Sequence, residues 1–335
     1  MKIFLPFKLK DIGGTSTFAG KFRSGLEALG HEVSLEPTSD YDVLFLIVQA
    51  PFRYLIDAKK RGKKIIQRLD GTYYWTVSGW RFPLLNAKAS LIRRWFADFT
   101  VYQSQYSKEC VERFLGPKRG EAQTIIYNGV DLNLFSPLGP TKRLRDNAAQ
   151  KVFFTASAFR REDQILPVIE ALRRYRRRYS DNCKLVIAGS FEGKVKALPN
   201  WLRELEFVEW AGRISNHELP SYERGADVFL FTHLNPPCPN NVIEALACGL
   251  PVCGINDGAM GELISSGKEG ELLRASGTGF WRGRSFNARQ YADNIERICR
   301  ARPRYAQAAR RAAEERFGLE TMAKHYLAVF HQVIQ

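Results

Sequence analysis

Residues 236–251, which read PPCPNNVIEALACGLP, have the types and spacing that most directly suggest chemistry. A proline-rich loop is followed by a short predicted helix that carries a single acid, Glu244. Pro239 can begin this helix at no cost, because the first N–H groups of a helix have no partner within it. The N–H groups of Asn240 and Asn241 then lie at the positive end of the helix dipole and favour a diphosphate. Glu244 is close enough to accept hydrogen bonds from vicinal sugar hydroxyls. The alternative is a capped helix that only packs on a sheet.

Two further loops follow predicted strands and carry candidate residues. Gly13 and Gly14 precede the first predicted helix, where glycines allow a ligand to approach the backbone and free amides favour phosphate. A tight strand-to-helix turn is the alternative, and the spacing is not that of a dinucleotide fingerprint. Asp70 follows the strand at 64–68. Ligands gather at the carboxyl ends of strands in doubly wound sheets, so Asp70 could face a ligand-binding cleft. An Asp-Gly turn is the alternative.

The elements that must position these residues alternate between strands and helices. This alternation predicts an α/β fold with parallel sheets and helices on both faces. The predicted strands are residues 2–6, 31–35, 43–48, 64–68, 99–103, 124–127, 152–156, 184–188, 207–210, 226–231 and 251–255. The principal predicted helices are residues 18–29, 164–178, 215–224 and 320–333. Residues 136–151 contain two prolines and mixed charge without periodicity, which indicates a linker between two domains.

Length and composition agree with two globular domains. The chain has 335 residues, of which 45% are hydrophobic, and it contains no apolar run long enough to cross a membrane. The first residues are typical of a strand and not of a signal peptide. The six cysteines show neither CxxC spacing nor paired histidines, so we expect reduced thiols, no metal site and a cytoplasmic location.

The formal net charge of +15 suggests an anionic partner. Arginines are dense between residues 173 and 178, on a predicted helix. Because no nucleic-acid fold signature accompanies them, we expect no nucleic acid, and an anionic membrane surface is another partner that such arginines can bind. The chain would then lie peripherally on the inner face of the plasma membrane. A merely solvated basic face is the alternative.

Several segments together resemble the family 4 glycosyltransferases. The family has a glutamate followed by A-x-A-x-G-x-P-V, and Glu244 is followed here by matching residues through Val252. Residues 128–137 match N-G-V-D-x-x-x-F-x-P, and residues 257–262 resemble D-G-G-x-x-E.

The resemblance implies the GT-B fold, in which two Rossmann-like, doubly wound domains face each other across a cleft. It implies an acceptor domain at residues 1–147, joined by a C-terminal helix at 318–335, and a donor domain at 148–317.

The resemblance also implies a retaining transfer of a hexose from a nucleoside-diphosphate sugar to a saccharide or lipid-linked acceptor, without a metal or other cofactor. The implied donor-binding residues are Gly13, Gly14, Asn240, Asn241, Glu244 and Gly258. Glu244 would hold the ribose, and the amides of Asn240 and Asn241 the diphosphate. Arg160 or Arg161 would supply the counter-charge that the departing diphosphate needs. The acceptor would bind near Gly14 and Asp70.

One position departs from the family pattern. The first of two family glutamates should precede Glu244 by eight residues, and that position is Pro236. The consequence could be a different sugar, a substitute such as Asn235 or His233, or the loss of catalysis. A nucleotide-sugar epimerase, a non-catalytic nucleotide-sugar-binding or scaffold protein and a basic nucleic-acid binder are the competing hypotheses.

Overall fold

The computed structural model describes residues 1–9, 14–118, 120, 122–276, 279–281 and 285–335. The chain divides into two compact units. The first comprises Met1–Gly129, Thr278–Gly283 and Phe317–Gln335, and the second comprises Val130–Gly277 and Arg284–Arg316. In the part of the chain that is described, no helix is long and apolar enough to cross a membrane.

Parallel strands form the centre of each unit. The strands of the first unit are β1 (Lys2–Phe4), β2 (Glu32–Ser34), β3 (Val43–Ile47), β4 (Lys64–Leu69), β5 (Phe99–Tyr102) and β6 (Gln123–Ile125). The strands of the second unit are β7 (Lys151–Phe159), β8 (Cys183–Phe191), β9 (Val208–Gly212), β10 (Val228–Phe231), β11 (Val252–Asn256) and β12 (Gly270–Arg274).

Helices connect the strands in both units. They are α1 (Gly14–Ala28), α2 (Phe52–Lys60), α3 (Trp75–Ser78), α4 (Phe82–Trp95), α5 (Gln105–Leu115), α6 (Leu166–Arg178), α7 (Leu198–Leu202), α8 (Leu219–Gly225), α9 (Asn240–Ala247), α10 (Met260–Leu263), α11 (Ala288–Arg300), α12 (Arg302–Arg316) and α13 (Leu319–Ile334). The α/β class predicted from the alternating pattern is confirmed.

In the first unit, the described strands pair in the order β2-β1-β3-β4-β5-β6, and all pairs are parallel. Every residue of β3 is apolar and buried, as expected for a strand that is covered on both faces. The chain adds β2 on one side of β1 and then β3 on the other, so the order reverses there. The last helix, α13, belongs to this unit and packs its Tyr326 ring edge-on against Phe22 of α1, with the ring centroids 5.1 Å apart.

In the second unit, the described strands pair in the order β12-β11-β10-β7-β8-β9, again in parallel. The strand order reverses between β7 and β10, which makes their carboxyl ends the expected ligand site. Where Ser157 of β7 pairs with Gly189 of β8, the φ of Gly189 is +117°. A Cβ at Gly189 would lie 1.9 Å from Ser157 O, so only glycine fits there.

The observed division of the chain differs from the expected boundary after residue 147. Residues 130–147 belong to the second unit. Arg145 Nη2 lies 2.7 Å from Asp227 Oδ1, and Lys142 N donates to Ser221 O at 2.9 Å. These contacts attach a segment without regular secondary structure to the second unit, which composition alone could not indicate.

Candidate functional site

Two loops meet where the strand order of the second unit reverses. Arg160 and Arg161 follow β7, and His233 follows β10. Gln164 joins the two loops: its Oε1 accepts from Arg160 N at 2.6 Å and from Arg161 N at 3.0 Å. Its Nε2 lies 3.2 Å from His233 Nδ1. Both arginines are therefore held at the end of the sheet where parallel α/β folds bind ligands.

Each of the two arginines has one acidic neighbour. Arg160 Nε lies 3.1 Å from Glu192 Oε2, and Arg161 Nε donates to Asp163 Oδ1 at 2.8 Å. Arg160 is exposed and Arg161 partly exposed, and a guanidinium has five N–H donors. Their position suits contact with an anion, while a contact with the departing diphosphate stays a prediction.

The His233 ring lies among aromatic side chains. Its centroid is 4.6 Å from that of Phe231, with the rings stacked, and 6.1 Å from that of Phe159. Burial, together with the positive charges of Arg161 and Arg160, lowers the pKa of His233 to about 3. The imidazole is consequently neutral near pH 7 and can act as a hydrogen-bonding group, but it adds no positive charge.

The start of α9 is fastened to β7 by a side chain. Asn241 Nδ2 donates to Ala156 O at 2.7 Å, and Asn241 Oδ1 accepts from Val242 N at 3.0 Å. Asn240 Oδ1 is buried and has no hydrogen-bond partner among the described residues. Glu244 lies one turn further along α9 and is only 5% exposed. The structure thus brings Asn240, Asn241 and Glu244 together on one helix, and their contacts with a donor stay predictions.

Gly258 is the predicted site residue whose surroundings differ from the expectation. Its φ is +58°, and a Cβ there would lie 2.4 Å from Pro236 O. Its N–H donates to Asp257 Oδ1 at 2.8 Å, while Asp257 Oδ2 accepts from Asn235 N at 2.8 Å. The close approach that requires glycine is therefore to Pro236, and an approach of this loop to a nucleotide stays a prediction.

In the first unit, Asp70 is part of a buried polar network. Arg68 Nη2 lies 3.1 Å from Asp70 Oδ1, and donates to Gln103 Oε1 at 3.0 Å and to Asn128 Oδ1 at 2.7 Å. The Arg68 guanidinium lies 3.2 Å from the centroid of the Phe18 ring. Burial raises the pKa of Asp70, although Arg68 and a hydrogen bond with Thr15 act in the opposite direction.

Asp70 is thus held by its own unit, and an acceptor contact through it stays a prediction. Gly14 is the first residue of α1 and is adjacent to Thr15, so the structure brings Gly14 and Asp70 together. Gly13 lies outside the described residues.

Sequence reasoning gave no role to two residues that organise these sites. Gln164 stands three residues after Arg161, a spacing typical of helix-start capping, and that signal could have identified it. Arg68 is the last residue of the strand predicted at 64–68, and nothing in its sequence neighbourhood indicates that it is fully buried. No group of three or more His, Cys, Asp or Glu side chains suited to a metal ion occurs among the described residues.

Comparison with known proteins identifies a family whose members this chain resembles in sequence. A family model described as "Glycosyl transferases group 1" matches residues 141–315. The chain is 25% identical over 227 residues to the D-inositol 3-phosphate glycosyltransferase of Stackebrandtia nassauensis, a match that covers 63% of this chain and 49% of that protein. The chain therefore spans about half the length of that relative.

A second relative and a solved structure match over more of the chain. The alpha-monoglucosyldiacylglycerol synthase of Acholeplasma laidlawii is 23% identical over 331 residues, covering 80% of this chain and 83% of that protein. Anabaena HepE, crystallised in complex with UDP-glucose, superposes with a TM-score of 0.77 at 18% identity and covers 99% of each chain. At this identity the superposition shows the two-domain α/β fold that these proteins share.

Proposed function

The chain belongs to the glycosyl transferases group 1 family, and we propose that it transfers a hexose from a nucleoside-diphosphate sugar to a saccharide or lipid-linked acceptor. The proposal includes retention of the anomeric configuration and membership of family 4, which the motif around Glu244 supports. Anabaena HepE was crystallised with UDP-glucose, and we extend the class of its ligand, a nucleoside-diphosphate sugar, to this chain.

One observation carries the proposal: two arginines directly follow β7 and are linked to the loop after β10, and the start of α9 is fastened to β7. Arg160 and Arg161 follow β7, while Asn241 ties α9 to Ala156 of the same strand. The helix start and the guanidinium groups both favour a diphosphate. In this proposal Glu244 accepts hydrogen bonds from the ribose. The side-chain Oδ1 of Asn240, which has no partner among the described residues, accepts one from the ligand.

The proposed reaction needs charge stabilisation more than a positioned base. The bond between the anomeric carbon and the diphosphate oxygen breaks, and an acceptor oxygen bonds to that carbon on the same face. The acceptor proton passes to an oxygen of the leaving diphosphate, so atoms and charge balance. Arg160 and Arg161 stabilise the negative charge that grows on the leaving group.

We assign acceptor binding to the first unit. Gly14 and Asp70, which the structure brings together through Thr15, lie at the strand ends of its sheet. One relative is named as a synthase of a glucosyl diacylglycerol, which supports a lipid-linked acceptor for this chain as well. We accordingly propose a cytoplasmic protein that works at the inner face of the plasma membrane, without a metal or other cofactor.

Acceptor-dependent release of a nucleoside diphosphate tests this function. The purified chain would be given UDP-, GDP-, ADP- and CDP-sugars with lipid and saccharide acceptors. We expect turnover with one donor class, and a fall in kcat of about a hundredfold or more in Arg160→Ala/Arg161→Ala, because charge stabilisation of the leaving group is lost. Arg173→Ala/Arg174→Ala on α6 removes the same charge and should retain the rate. Equal rates in both double variants would contradict the proposal.

A non-catalytic nucleotide-sugar-binding protein is the second candidate. Pro236 favours it, because this residue stands where the family has its first glutamate, and its backbone is packed against Gly258. This candidate predicts nucleotide binding without turnover of any donor, whichever acceptor is supplied.

A further inference from the structure

Helix α4 has apolar side chains on the face that is exposed to solvent. Leu84, Lys88, Leu91 and Trp95 stand at spacings of four, three and four residues, which places them on one side of the helix. Leu84 is 69% exposed and Trp95 is 73% exposed, while Asn86 is among the residues buried on the opposite side. A surface helix normally has the reverse arrangement, with its apolar residues toward the core.

The segment before α4 continues this surface. Trp80 is 71% exposed, and Tyr73 and Trp75 are also exposed. The buried Asn86 side chain fixes the segment to α4, since its Oδ1 accepts from Tyr73 N at 2.9 Å and its Nδ2 donates to Tyr73 O at 2.8 Å. Trp80 lies in a helical turn that runs directly into α4, four residues before Leu84, and so extends the row of exposed side chains. This row, here called the α4 surface, is defined by Trp80, Leu84, Leu91 and Trp95.

The charge of the α4 surface has a single sign. Residues 71–97 contain no Asp or Glu, although they contain Arg81, Lys88, Arg93 and Arg94. Arg81 and Arg94 are exposed, whereas Arg93 is buried and donates to Gly116 O at 2.7 Å. Lys88 is partly exposed, and its ammonium lies 5.5 Å from the centroid of the Phe52 ring. Exposed tryptophan, leucine and arginine side chains together are typical of helices that lie in the interface of an anionic bilayer.

We propose that the α4 surface binds an anionic lipid bilayer, with its tryptophan and leucine side chains entering the interfacial region and the exposed Arg81 and Arg94 contacting lipid phosphates. Contact with a second copy of the same surface would bring like charges together, which disfavours self-association.

This position replaces the arginine-rich helix α6 that the sequence suggested for lipid contact. Arg173 lies over the Trp201 ring and Arg174 pairs with Glu170, both within the second unit.

The exposed side chains of the α4 surface are not needed for the fold of the first unit. Ala89 and Ile92 form the buried side of α4, and Ile92 belongs to a core cluster with residues of β3 and α2. Substitutions at Trp80 and Trp95 should therefore leave the unit folded, and thermal unfolding of each variant checks this.

Co-sedimentation of the full chain with vesicles tests the proposal. The vesicles would be phosphatidylcholine alone, or phosphatidylcholine with about 30% phosphatidylglycerol, in about 0.1 M salt. We expect binding to the anionic vesicles with a blue shift of tryptophan emission. Trp80→Ser/Trp95→Ser should weaken binding about tenfold or more, because large apolar side chains no longer leave water. Arg81→Gln/Arg94→Gln should weaken it about thirtyfold, at about 1 kcal/mol for each basic residue.

Two matched controls make the result specific to this surface. Arg173→Gln/Arg174→Gln removes the same charge from α6, and Leu138→Ser removes another highly exposed apolar side chain. Both should bind as the unsubstituted chain does. The proposal would be overturned if the controls lost as much binding as the α4 variants, or if Trp80→Ser/Trp95→Ser bound fully. It would also be overturned if the unsubstituted chain did not bind the vesicles but self-associated in a way that Trp80→Ser/Trp95→Ser abolished. No nucleotide or sugar is present, so the outcome is independent of the proposed transfer.

Discussion

Pro236 shows how a residue that lacks a functional side chain can still shape the site. Its carbonyl oxygen accepts from Ala259 N at 2.8 Å, and its backbone occupies the space beside Gly258. These contacts join the loop after β10 to the loop after β11. His233, one of the two side chains suggested as a substitute for the family glutamate, follows β10 and is neutral near pH 7, and its contact with a sugar hydroxyl stays a prediction.

The depressed pKa of His233 predicts a pH dependence of stability. The ordinary value for histidine is 6.5, while the folded value is about 3, so the unfolded chain binds an extra proton between these limits. The contribution of His233 to the unfolding free energy is fully present above about pH 6.5. It falls as the pH drops toward 3, by at most about 1.4 kcal/mol per pH unit. Denaturant unfolding between about pH 4 and 7 measures the slope.

His233→Phe is the matched variant, because phenylalanine can stack on Phe231 but does not titrate. Its unfolding free energy should fall less steeply with decreasing pH than that of the unsubstituted chain. The difference between the two slopes should correspond to about one bound proton. Parallel slopes in the two proteins would show that His233 is not held neutral by its surroundings.

At the scale of helices and strands, the sequence predicted buried strands but did not predict α4, whose apolar side chains face solvent. The continuous apolar run at 43–48 located β3, because a strand covered on both faces needs such a run. The strand predicted at 226–231, which is apolar from residue 228 onward, located β10. Helix α4 was missed because its buried side includes Asn86 and Arg93 while its exposed side includes leucine and tryptophan. That pattern opposes the periodicity from which helices are recognised.

The short strand β12 was also not predicted, because its pattern of polar and apolar residues does not match its burial. Its Glu271 is a buried carboxylate, and such a residue does not indicate a core strand. The partners that make its burial possible are Tyr305, whose hydroxyl donates at 2.5 Å, and Arg297, 3.1 Å away. Both follow the strand by more than twenty residues, so sequence-local reasoning could not supply them.

The tie between α9 and β7 predicts the effect of Asn241→Ala. The substitution leaves the buried Ala156 carbonyl without its 2.7 Å hydrogen bond, which should cost about 1–3 kcal/mol of unfolding free energy. Denaturant unfolding measures this loss. Asn182→Ala breaks the solvent-exposed amide contact with Asn147 and should change stability by about 0.5 kcal/mol or less. Equal effects of the two substitutions would mean that Asn241 does not fasten the helix.

At the scale of the molecule, the net charge of +15 is a poor guide to where an anion would bind. Many arginines serve the fold, as Arg310 does when its Nη1 donates to Phe135 O at 2.9 Å and Ala247 O at 2.8 Å. The sequence predicted the α/β fold and placed Arg160, Arg161 and α9 at strand ends. It could not predict Glu192 as the partner of Arg160, because that pairing depends on how neighbouring loops pack.

The most direct test of the central claim is thermal stabilisation of the purified chain by UDP, GDP, ADP and CDP. We predict that one of them, at about 100 times its Kd, adds about 2.7 kcal/mol of stability. Arg160→Ala/Arg161→Ala and the conservative Glu244→Gln should reduce the effect, whereas Arg173→Ala/Arg174→Ala should not. Failure of all four nucleotides to stabilise the chain would contradict a nucleoside-diphosphate site at the ends of β7 and β10.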